Sequence, residues 1–210
     1  MLHKHGFGKT YLMCTALCHL LLKYSDTHAI VICPQKAVKA FKKELSQKLR
    51  IAYNTLTSSK PQMQKGARIS IITHTSLKKY ISYITELKEQ GHRLLLLVDE
   101  AHCLEDCNSK MYSYMASIRH YFSVCWFATA TPLKNNIEGL YWLMYMLDPH
   151  ILGDWNYFKM KYLIIDKYPI TRYVGKGKQK YKRTVWQEDI VGYKNIEELR
   201  QILNQYIVIK

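Results

Sequence analysis

The sequence predicts an α/β domain in which helices cover both faces of a mostly parallel central sheet. Up to residue 147, short apolar runs rich in β-branched residues alternate with longer segments of helical period. One run, at residues 94–98, is continuously apolar, as expected for a strand buried on both faces of a parallel sheet. A chain of 210 residues is long enough for one well-buried domain.

The predicted elements follow one another in a repeated strand-then-helix order. Pro34 ends the first apolar run, because proline lacks the amide hydrogen that a continuing strand needs. Elsewhere, the length of each apolar run and the spacing of its apolar residues separate strands from helices. The predicted strands are residues 29–33, 69–73, 94–98 and 124–128, and the predicted helices are residues 10–23, 36–49, 77–90, 109–121 and 136–147.

The regular pattern stops after residue 147, and the chain then becomes richer in Tyr, Lys and Gly. We therefore predict a core at residues 1–150 and a carboxyl-terminal extension at residues 151–210. Within the extension, residues 172–184 indicate an exposed basic loop or a small hairpin. Residues 196–209 indicate a closing helix followed by a short β-prone run.

Charge is the unusual feature of the composition. The chain has 31 Lys and Arg against 16 Asp and Glu, a formal net charge of +15 and a pI of about 9.5. This excess favours a polyanionic partner, most simply DNA or RNA, although lysines that only solvate the surface are the alternative. No apolar run is long enough to span a bilayer and no secretory signal precedes the core, so we expect a cytoplasmic or nuclear protein.

The six cysteines lie mostly inside predicted helices and strands, which favours reduced core thiols over a disulfide framework. Cys14 with Cys18, and Cys103 with Cys107, are each four residues apart. That spacing would place both thiols of a pair on one helix face, so zinc binding stays open as the alternative.

A glycine-rich segment, GFGKT at residues 6–10, comes immediately before the first predicted helix. Backbone amides at a helix amino end form a cradle for anions, Lys9 can reach the outer phosphates of a nucleotide, and the Thr10 hydroxyl can bind Mg²⁺. The complete phosphate-loop pattern has a glycine where this chain has His3. A glycine turn with an adjacent lysine is therefore the alternative if no second motif supports the first.

The second motif is Asp99-Glu100, at the carboxyl end of the apolar strand 94–98 and two residues before His102. Open α/β sheets bind their ligands at the carboxyl ends of the strands. There Asp99 can hold Mg²⁺, directly or through water, and Glu100 can accept a proton from an attacking water. Together the two motifs predict a site for ATP and Mg²⁺.

Three segments carry a more specific resemblance: GFGKT at 6–10, VDEAH at 98–102 and TATPLKNN at 129–136. They resemble the motifs of superfamily-two helicase-like ATPases, with the acidic motif in its DEAH-box form. TATPLKNN and the helical IEGLYWLM that follows it resemble the Swi/Snf family in particular. IVICP at 30–34 with FKKE at 41–44 resembles the second motif of that family, with Phe41 in place of the usual Trp, and the segment 199–210 resembles the end of its first lobe.

This resemblance implies a RecA-like P-loop domain, the first, ATP-binding lobe of a DNA-stimulated ATPase that moves on duplex DNA. It implies catalytic roles for Lys9 and Glu100, and Mg²⁺ binding by Thr10 and Asp99. It implies coupling of the nucleotide state to DNA through His102, Thr129, Ala130 and Thr131. The implied nucleotide ligands are Gly6, Phe7, Gly8, Lys9 and Thr10, and the implied DNA contacts are Gln35, Lys36, Thr73, His74 and Thr75.

The chain also departs from the family pattern. His3, Lys4 and His5 stand where the family has acidic residues and an adenine-contacting segment, which leaves adenine recognition open. The arginine motifs of the family's second lobe are absent, so we expect a second RecA-like lobe in cis or in trans and poor hydrolysis by this chain alone. The alternatives are a split or degenerate module that binds ATP and DNA without hydrolysis, and, less consistent with TATPLKNN and the charge, a small-molecule P-loop kinase.

Overall fold

The computed structural model describes residues 8–57, 61–129, 137–174 and 181–207. The described residues form two compact units. The core unit reaches to Pro149, and the extension unit runs from His150 to Tyr206. No helix in the described part of the chain is long and apolar enough to cross a membrane.

The core unit contains a five-stranded sheet with the strand order β2-β3-β1-β4-β5, and all neighbouring strands are parallel. Parallel strands are usually connected by a right-handed crossover that contains a helix. This connection explains why strands and helices alternate in the sequence. The strands are β1 (Thr27–Cys33), β2 (Asn54–Leu56), β3 (Ile69–Thr73), β4 (Arg93–Asp99) and β5 (Phe122–Ala128). The helices are α1 (Lys9–Lys23), α2 (Val38–Lys43), α3 (Ile81–Glu89), α4 (Lys110–Ile118) and α5 (Ile137–Leu147).

Helices cover both faces of this sheet and create two apolar cores. Along β1, alternate side chains point to opposite faces: Val31 packs in the core under α1 and α2, and Ile32 packs in the core under α3, α4 and α5. All seven residues of β1 are buried, as are the last six of β4. The predicted three-layer α/β fold with a mostly parallel sheet is therefore confirmed.

Within the core unit, the largest differences from the predicted secondary structure are at residues 36–49 and at β2. The predicted helix 36–49 is a 3₁₀ turn at Gln35–Ala37, the α-helix α2, and a wider π turn at Glu44–Lys48. The edge strand β2 was not predicted, because three residues are too few to show a period of two. Its pairing with β3 is a tertiary contact that joins distant parts of the chain.

Cysteine side chains fill space in the core unit. All six are free thiols, and Cys14, Cys18 and Cys33 are buried. Burial raises the pKa of the Cys14 thiol to about 12, and it does the same for Cys33. Protonated, buried thiols behave as small apolar side chains, which agrees with the prediction of reduced core cysteines.

The extension unit contains α6 (Trp155–Tyr162), β6 (Leu163–Val174), β7 (Tyr181–Tyr193) and α7 (Ile196–Asn204). Strands β6 and β7 pair antiparallel along their whole length. The basic segment predicted at 172–184 thus belongs to a much longer hairpin. Helix α6 was not predicted, and it begins where the Asp154 side chain accepts hydrogen bonds from the backbone amides of Asn156 and Tyr157.

Candidate functional site

A cavity of about 330 Å³ opens in the core unit at the carboxyl end of the sheet. Its volume lies within the range of small-molecule sites. Its position, beyond the ends of β1 and β4 and beside the amino end of α1, is the place where open parallel sheets bind ligands. We call it the strand-end cavity, and it is lined by Gly8, Lys9, Thr10, Tyr11, Pro34, Lys36, Ala37, Ala40, Glu44, Asp99 and Glu100.

The amino end of α1 forms one wall of this cavity. Gly8 precedes the helix with a positive φ of 68°, a conformation that favours glycine, and a Cβ added there would meet nothing within 4 Å. The requirement for glycine at this position is therefore conformational and not steric. No acidic residue occupies the first turn of α1, so the partial positive charge of the helix end is left for an external anion.

Lys9 lies between the two carboxylates of the second motif. Its Nζ is 3.1 Å from Oδ1 of Asp99 and 3.6 Å from Oε1 of Glu100, and the three side chains are only 13%, 6% and 12% exposed. Two sequence motifs separated by 90 positions thus meet in one charged cluster. The cluster is well shielded from water, which strengthens each electrostatic interaction within it.

The carboxylate of Asp99 has capacity to bind a metal. Its Oδ1 is buried and has no hydrogen-bond partner among the described residues, although the Lys9 ammonium lies close to it. Carboxylate and hydroxyl oxygens are the ligands that Mg²⁺ prefers, and Mg²⁺ usually takes one or two carboxylates together with substrate phosphates and water. The donor set of Asp99 with Thr10 fits that pattern, and no cage of three or more His, Cys, Asp or Glu ligands occurs in the described residues.

Glu100 adopts an unusual backbone conformation that the sequence did not predict. Its φ of 53° and ψ of 51° lie in the left-handed region, which residues with a Cβ rarely adopt. Strain of this kind concentrates at functional sites. The left-handed turn ends β4 and places the Glu100 side chain beside that of Lys9.

His102 links the acid pair to the end of the neighbouring strand. Its Nδ1 is 3.4 Å from Oε2 of Glu100 and 3.4 Å from Oγ1 of Thr129, the residue that follows β5. Thr129 is buried, so its hydroxyl is held close to the histidine. The structure thus brings together two of the residues predicted to couple nucleotide and DNA; Ala130 and Thr131 lie outside the described residues.

His74 makes a contact that the sequence did not predict. Its Nε2 donates a hydrogen bond of 3.0 Å to the main-chain oxygen of Asp99, across the end of β1. Burial lowers the pKa of His74, while the bond to the Asp99 carbonyl and the nearby carboxylates oppose that change. The segment after β3, predicted to contact DNA, is therefore joined directly to the backbone of the acid pair.

The other residues predicted to contact DNA differ in exposure. Gln35, Lys36 and Thr75 are exposed, whereas Thr73 is buried and donates a hydrogen bond of 2.7 Å to the Ser76 hydroxyl. In this conformation Thr73 supports the loop and does not face solvent. Among the predicted nucleotide ligands, Gly8, Lys9 and Thr10 line the cavity, and Gly6 and Phe7 lie outside the described residues.

Two further residues of the cavity had no predicted role. Tyr11 directly follows the glycine-rich segment, and Glu44 ends the segment FKKE; both line the cavity. Lys48 contacts both of them: its Nζ is 2.9 Å from Oε2 of Glu44 and 5.0 Å from the centre of the Tyr11 ring. The place of Tyr11 beside Lys9 and Thr10 was the one signal in the sequence for its part in the site.

Comparison with known families gives a match along the whole chain. Residues 1–210 match the model of the SNF2-related domain. The described fold and the strand-end cavity both lie within this range.

Curated proteins with similar sequences include one from a plant and one from a yeast. Protein CHROMATIN REMODELING 24 of Arabidopsis thaliana is 26% identical over 174 residues, which is 75% of this chain and 16% of that protein. The DNA repair and recombination protein RDH54 of Saccharomyces cerevisiae is 30% identical over 158 residues, which is 68% of this chain and 16% of that protein. The chain thus matches only a small part of the length of these relatives.

Solved structures share the fold. The SWI2/SNF2 ATPase core of Sulfolobus solfataricus in complex with double-stranded DNA superposes with a TM-score of 0.60 and 24% sequence identity. The match covers 77% of this chain and 33% of that one. This likeness agrees with the predicted RecA-like architecture of the core unit.

Proposed function

Because this chain belongs to the SNF2-related domain family, we propose that its core unit is the ATP-binding lobe of a DNA-dependent ATPase that moves along duplex DNA. The observation that carries the proposal is the contact of Lys9 with both Asp99 and Glu100 at the floor of the strand-end cavity. A phosphate-binding lysine, a metal-binding carboxylate and a carboxylate base are the parts that phosphoryl transfer needs. Such a motor would work in the cytoplasm or the nucleus.

In this proposal each residue of the cavity has a separate task. Backbone amides at the start of α1 and the Lys9 ammonium would bind the phosphates. Thr10 and Asp99 would hold Mg²⁺, whose charge would offset that of the phosphates. Glu100 accepts the proton of the attacking water.

Coupling to DNA would run through the two histidines. His102 contacts both Glu100 and Thr129. A movement at the end of β5 would therefore move the Glu100 carboxylate, the proposed base. His74 is hydrogen-bonded to the Asp99 carbonyl. A movement of the loop after β3 would therefore move Asp99, the proposed metal ligand. A DNA strand lying on the exposed Gln35, Lys36 and Thr75 would reach the second of these connections.

A second candidate is a module that binds ATP and DNA but hydrolyses ATP only with a partner lobe. No arginine is among the residues that line the cavity, within the described part of the chain. An arginine supplied to the transition state raises related rates by about 10³–10⁵-fold. We therefore expect slow turnover by this chain alone and a large increase when a second RecA-like lobe is added.

Nucleotide binding tests the proposal first. We expect the Lys9→Ala variant to lose about 10- to 100-fold in affinity for a fluorescent ATP analogue with Mg²⁺, since it loses a charge-assisted contact to phosphate. Lys23→Ala removes the same charge from the other end of α1 and should leave the affinity within about twofold. Equal affinity of the Lys9→Ala variant and the wild-type protein would disprove the proposed site.

Hydrolysis tests the role of Glu100. With duplex DNA and an added second-lobe protein, we expect Glu100→Gln to reduce turnover by about 10²–10⁴-fold while ATP binding is retained. Unchanged turnover in this variant would exclude Glu100 as the base. Full motor rates by the wild-type chain alone would instead exclude the partner-dependent module.

A further inference from the structure

The β6–β7 hairpin divides into two halves of different electrostatic character. Near its base, Glu188 forms ion pairs with Lys167 at 2.7 Å and with Lys159 at 3.2 Å. The base half therefore contains acids and bases that neutralise one another. The side chains of Asp189 and Tyr168 are likewise hydrogen-bonded to each other.

The distal half has positive charge and no acid to balance it. Between Lys167 and Glu188 the sequence has no acidic residue, and six of the 20 intervening residues are Lys or Arg. In the structure, Arg172 and Arg183 are both exposed and stand directly opposite each other in the strand register. Opposed residues of an antiparallel pair project to the same face with Cβ atoms about 5 Å apart, so two guanidinium groups share one small patch.

This arrangement is unfavourable in the free protein, because like charges directly opposite each other destabilise a hairpin. Arg172 makes a hydrogen bond of 3.4 Å to Gln187, and neither arginine forms an ion pair with a described acidic side chain. An anion placed between the two guanidinium groups would remove the repulsion. Arginine is suited to this task because its planar donors bind phosphate oxygens in pairs.

We propose that Arg172 and Arg183 form a phosphate clamp through which the β6–β7 hairpin binds the backbone of duplex DNA. A two-stranded ribbon is narrow enough to lie along or within the major groove, and here both strands carry exposed polar side chains, Thr171 and Thr184, beside the arginines. Phosphate contacts position a protein on DNA without reading sequence, so the clamp adds affinity and register but no sequence preference.

The choice of duplex DNA rests on the proposed function, but the clamp can be tested without ATP. A nucleic-acid partner predicts salt dependence, since each phosphate neutralised contributes about −0.9 to the slope of log K against log salt concentration. Binding of the full chain to a fluorescent DNA duplex, followed by anisotropy over a range of KCl concentrations, gives this slope directly.

The test compares two double variants that remove the same charge from the same hairpin region. We expect Arg172→Gln with Arg183→Gln to make the slope shallower by about 1–2 and to weaken binding about 10- to 100-fold at 0.1 M salt. Lys159→Gln with Lys167→Gln removes two cations that are already ion-paired to Glu188, and should change the slope by less than about 0.5. Arg172→Lys with Arg183→Lys retains both charges and should keep the slope of the wild-type protein.

Three results would overturn the clamp. The first is an unchanged slope in the Arg172→Gln, Arg183→Gln variant, and the second is an equal loss in both glutamine variants, which would mean that only net charge matters. The third is an arginine-dependent affinity for phosphatidylserine vesicles with no arginine-dependent affinity for DNA, which would make the partner a membrane. A failure of the proposed ATP site appears separately, as absent binding of the fluorescent nucleotide, and leaves the slope measurement intact.

Discussion

The two ends of the core sheet both contain buried polar side chains, but their chemistry is opposite. At the carboxyl end, Lys9, Asp99 and Glu100 form a charged cluster that borders an open cavity. At the amino end, the side chains clustered around His28 and Ser70 are uncharged and are hydrogen-bonded to one another. Position along the strands therefore separates the site that can bind a ligand from the site that stabilises the fold.

The amino-end cluster joins three strands and one helix through one hydroxyl group. The Ser70 hydroxyl in β3 is 3.0 Å from His28 Nε2 in β1, 2.9 Å from the Tyr83 hydroxyl in α3 and 3.2 Å from Asn54 Nδ2 in β2. Burial lowers the pKa of His28 to about 4, with neighbouring His92 and Arg68 acting in the same direction. Such a network fixes strand register and helix position and leaves little capacity for a ligand.

The two ends differ in charge and in backbone conformation. At the amino end the side chains of the cluster are uncharged and hydrogen-bonded to the Ser70 hydroxyl. At the carboxyl end Oδ1 of Asp99 is buried beside the Lys9 ammonium, 3.1 Å away, and Glu100 holds a left-handed backbone conformation. Buried charges and strained backbone cost stability, so their presence together at this end of the sheet agrees with a functional site there.

The largest expected effect on stability is at Lys9. Replacing it with Met leaves two adjacent, shielded carboxylates without their cation, and we expect the free energy of unfolding to fall by about 3 kcal/mol in urea titrations without Mg²⁺. Lys23→Met, at the far end of the same helix, should change it by less than about 0.5 kcal/mol. Adding Asp99→Asn to the Lys9→Met variant should restore part of the loss; a further, fully additive loss would mean that the three charges are not coupled.

Acidification should act on the amino end. Folded His28 stays neutral to about pH 4, whereas the unfolded residue takes up a proton near pH 6.5, so stability from this group is complete above pH 6.5 and is lost as the pH falls toward 4. We expect a loss of about 2 kcal/mol between pH 7 and pH 5, measured by urea unfolding at both values.

His28→Gln should remove most of that pH dependence, because glutamine does not titrate. Some dependence should remain, since the pKa of His74 is also lowered. The control is His120→Gln, which deletes an exposed histidine and should leave the dependence as in the wild-type protein. If the His28→Gln variant still lost about 2 kcal/mol of unfolding free energy between pH 7 and pH 5, His28 would not be the source of the pH dependence.

The smallest expected effect concerns the backbone of Glu100. Glu100→Gly and Glu100→Ala both remove the carboxylate, but only glycine adopts a φ of 53° without strain. We therefore expect the glycine variant to be more stable than the alanine variant by about 1 kcal/mol in thermal or urea unfolding. Equal stability of the two variants would mean that the left-handed turn carries no strain.

Local patterns of the sequence were enough to predict much of the fold. Continuous apolar runs such as residues 94–98 gave the buried strands, and apolar spacing gave the helices that follow them. The strand β2 and the helix α6 escaped prediction, since the first is too short for a period and the second has exposed apolar residues such as Met160 and Tyr157. For the candidate site, Lys9, Asp99 and Glu100 were predicted from motifs, and the structure brings their side chains together.

The contact of His74 with the Asp99 carbonyl could not be predicted in the same way. His74 follows β3, Asp99 ends β4, and the strand between them in the sheet is β1. Strand order arises from crossover connections and not from sequence order, so no local pattern reveals which loops become neighbours. For the same reason, the opposition of Arg172 and Arg183 follows from the register of β6 and β7 and not from the run of basic residues.

The sequence by itself determined the α/β class, the excess of positive charge and the residue types of the candidate site, because period, composition and short motifs are local properties of a chain. Only the tertiary structure decided that Lys9 bridges the acid pair, that Glu100 takes a left-handed backbone and that two histidines attach neighbouring loops to it. These features depend on the packing of distant segments. Their energies come from shielding and geometry that exist only after the sheet has assembled.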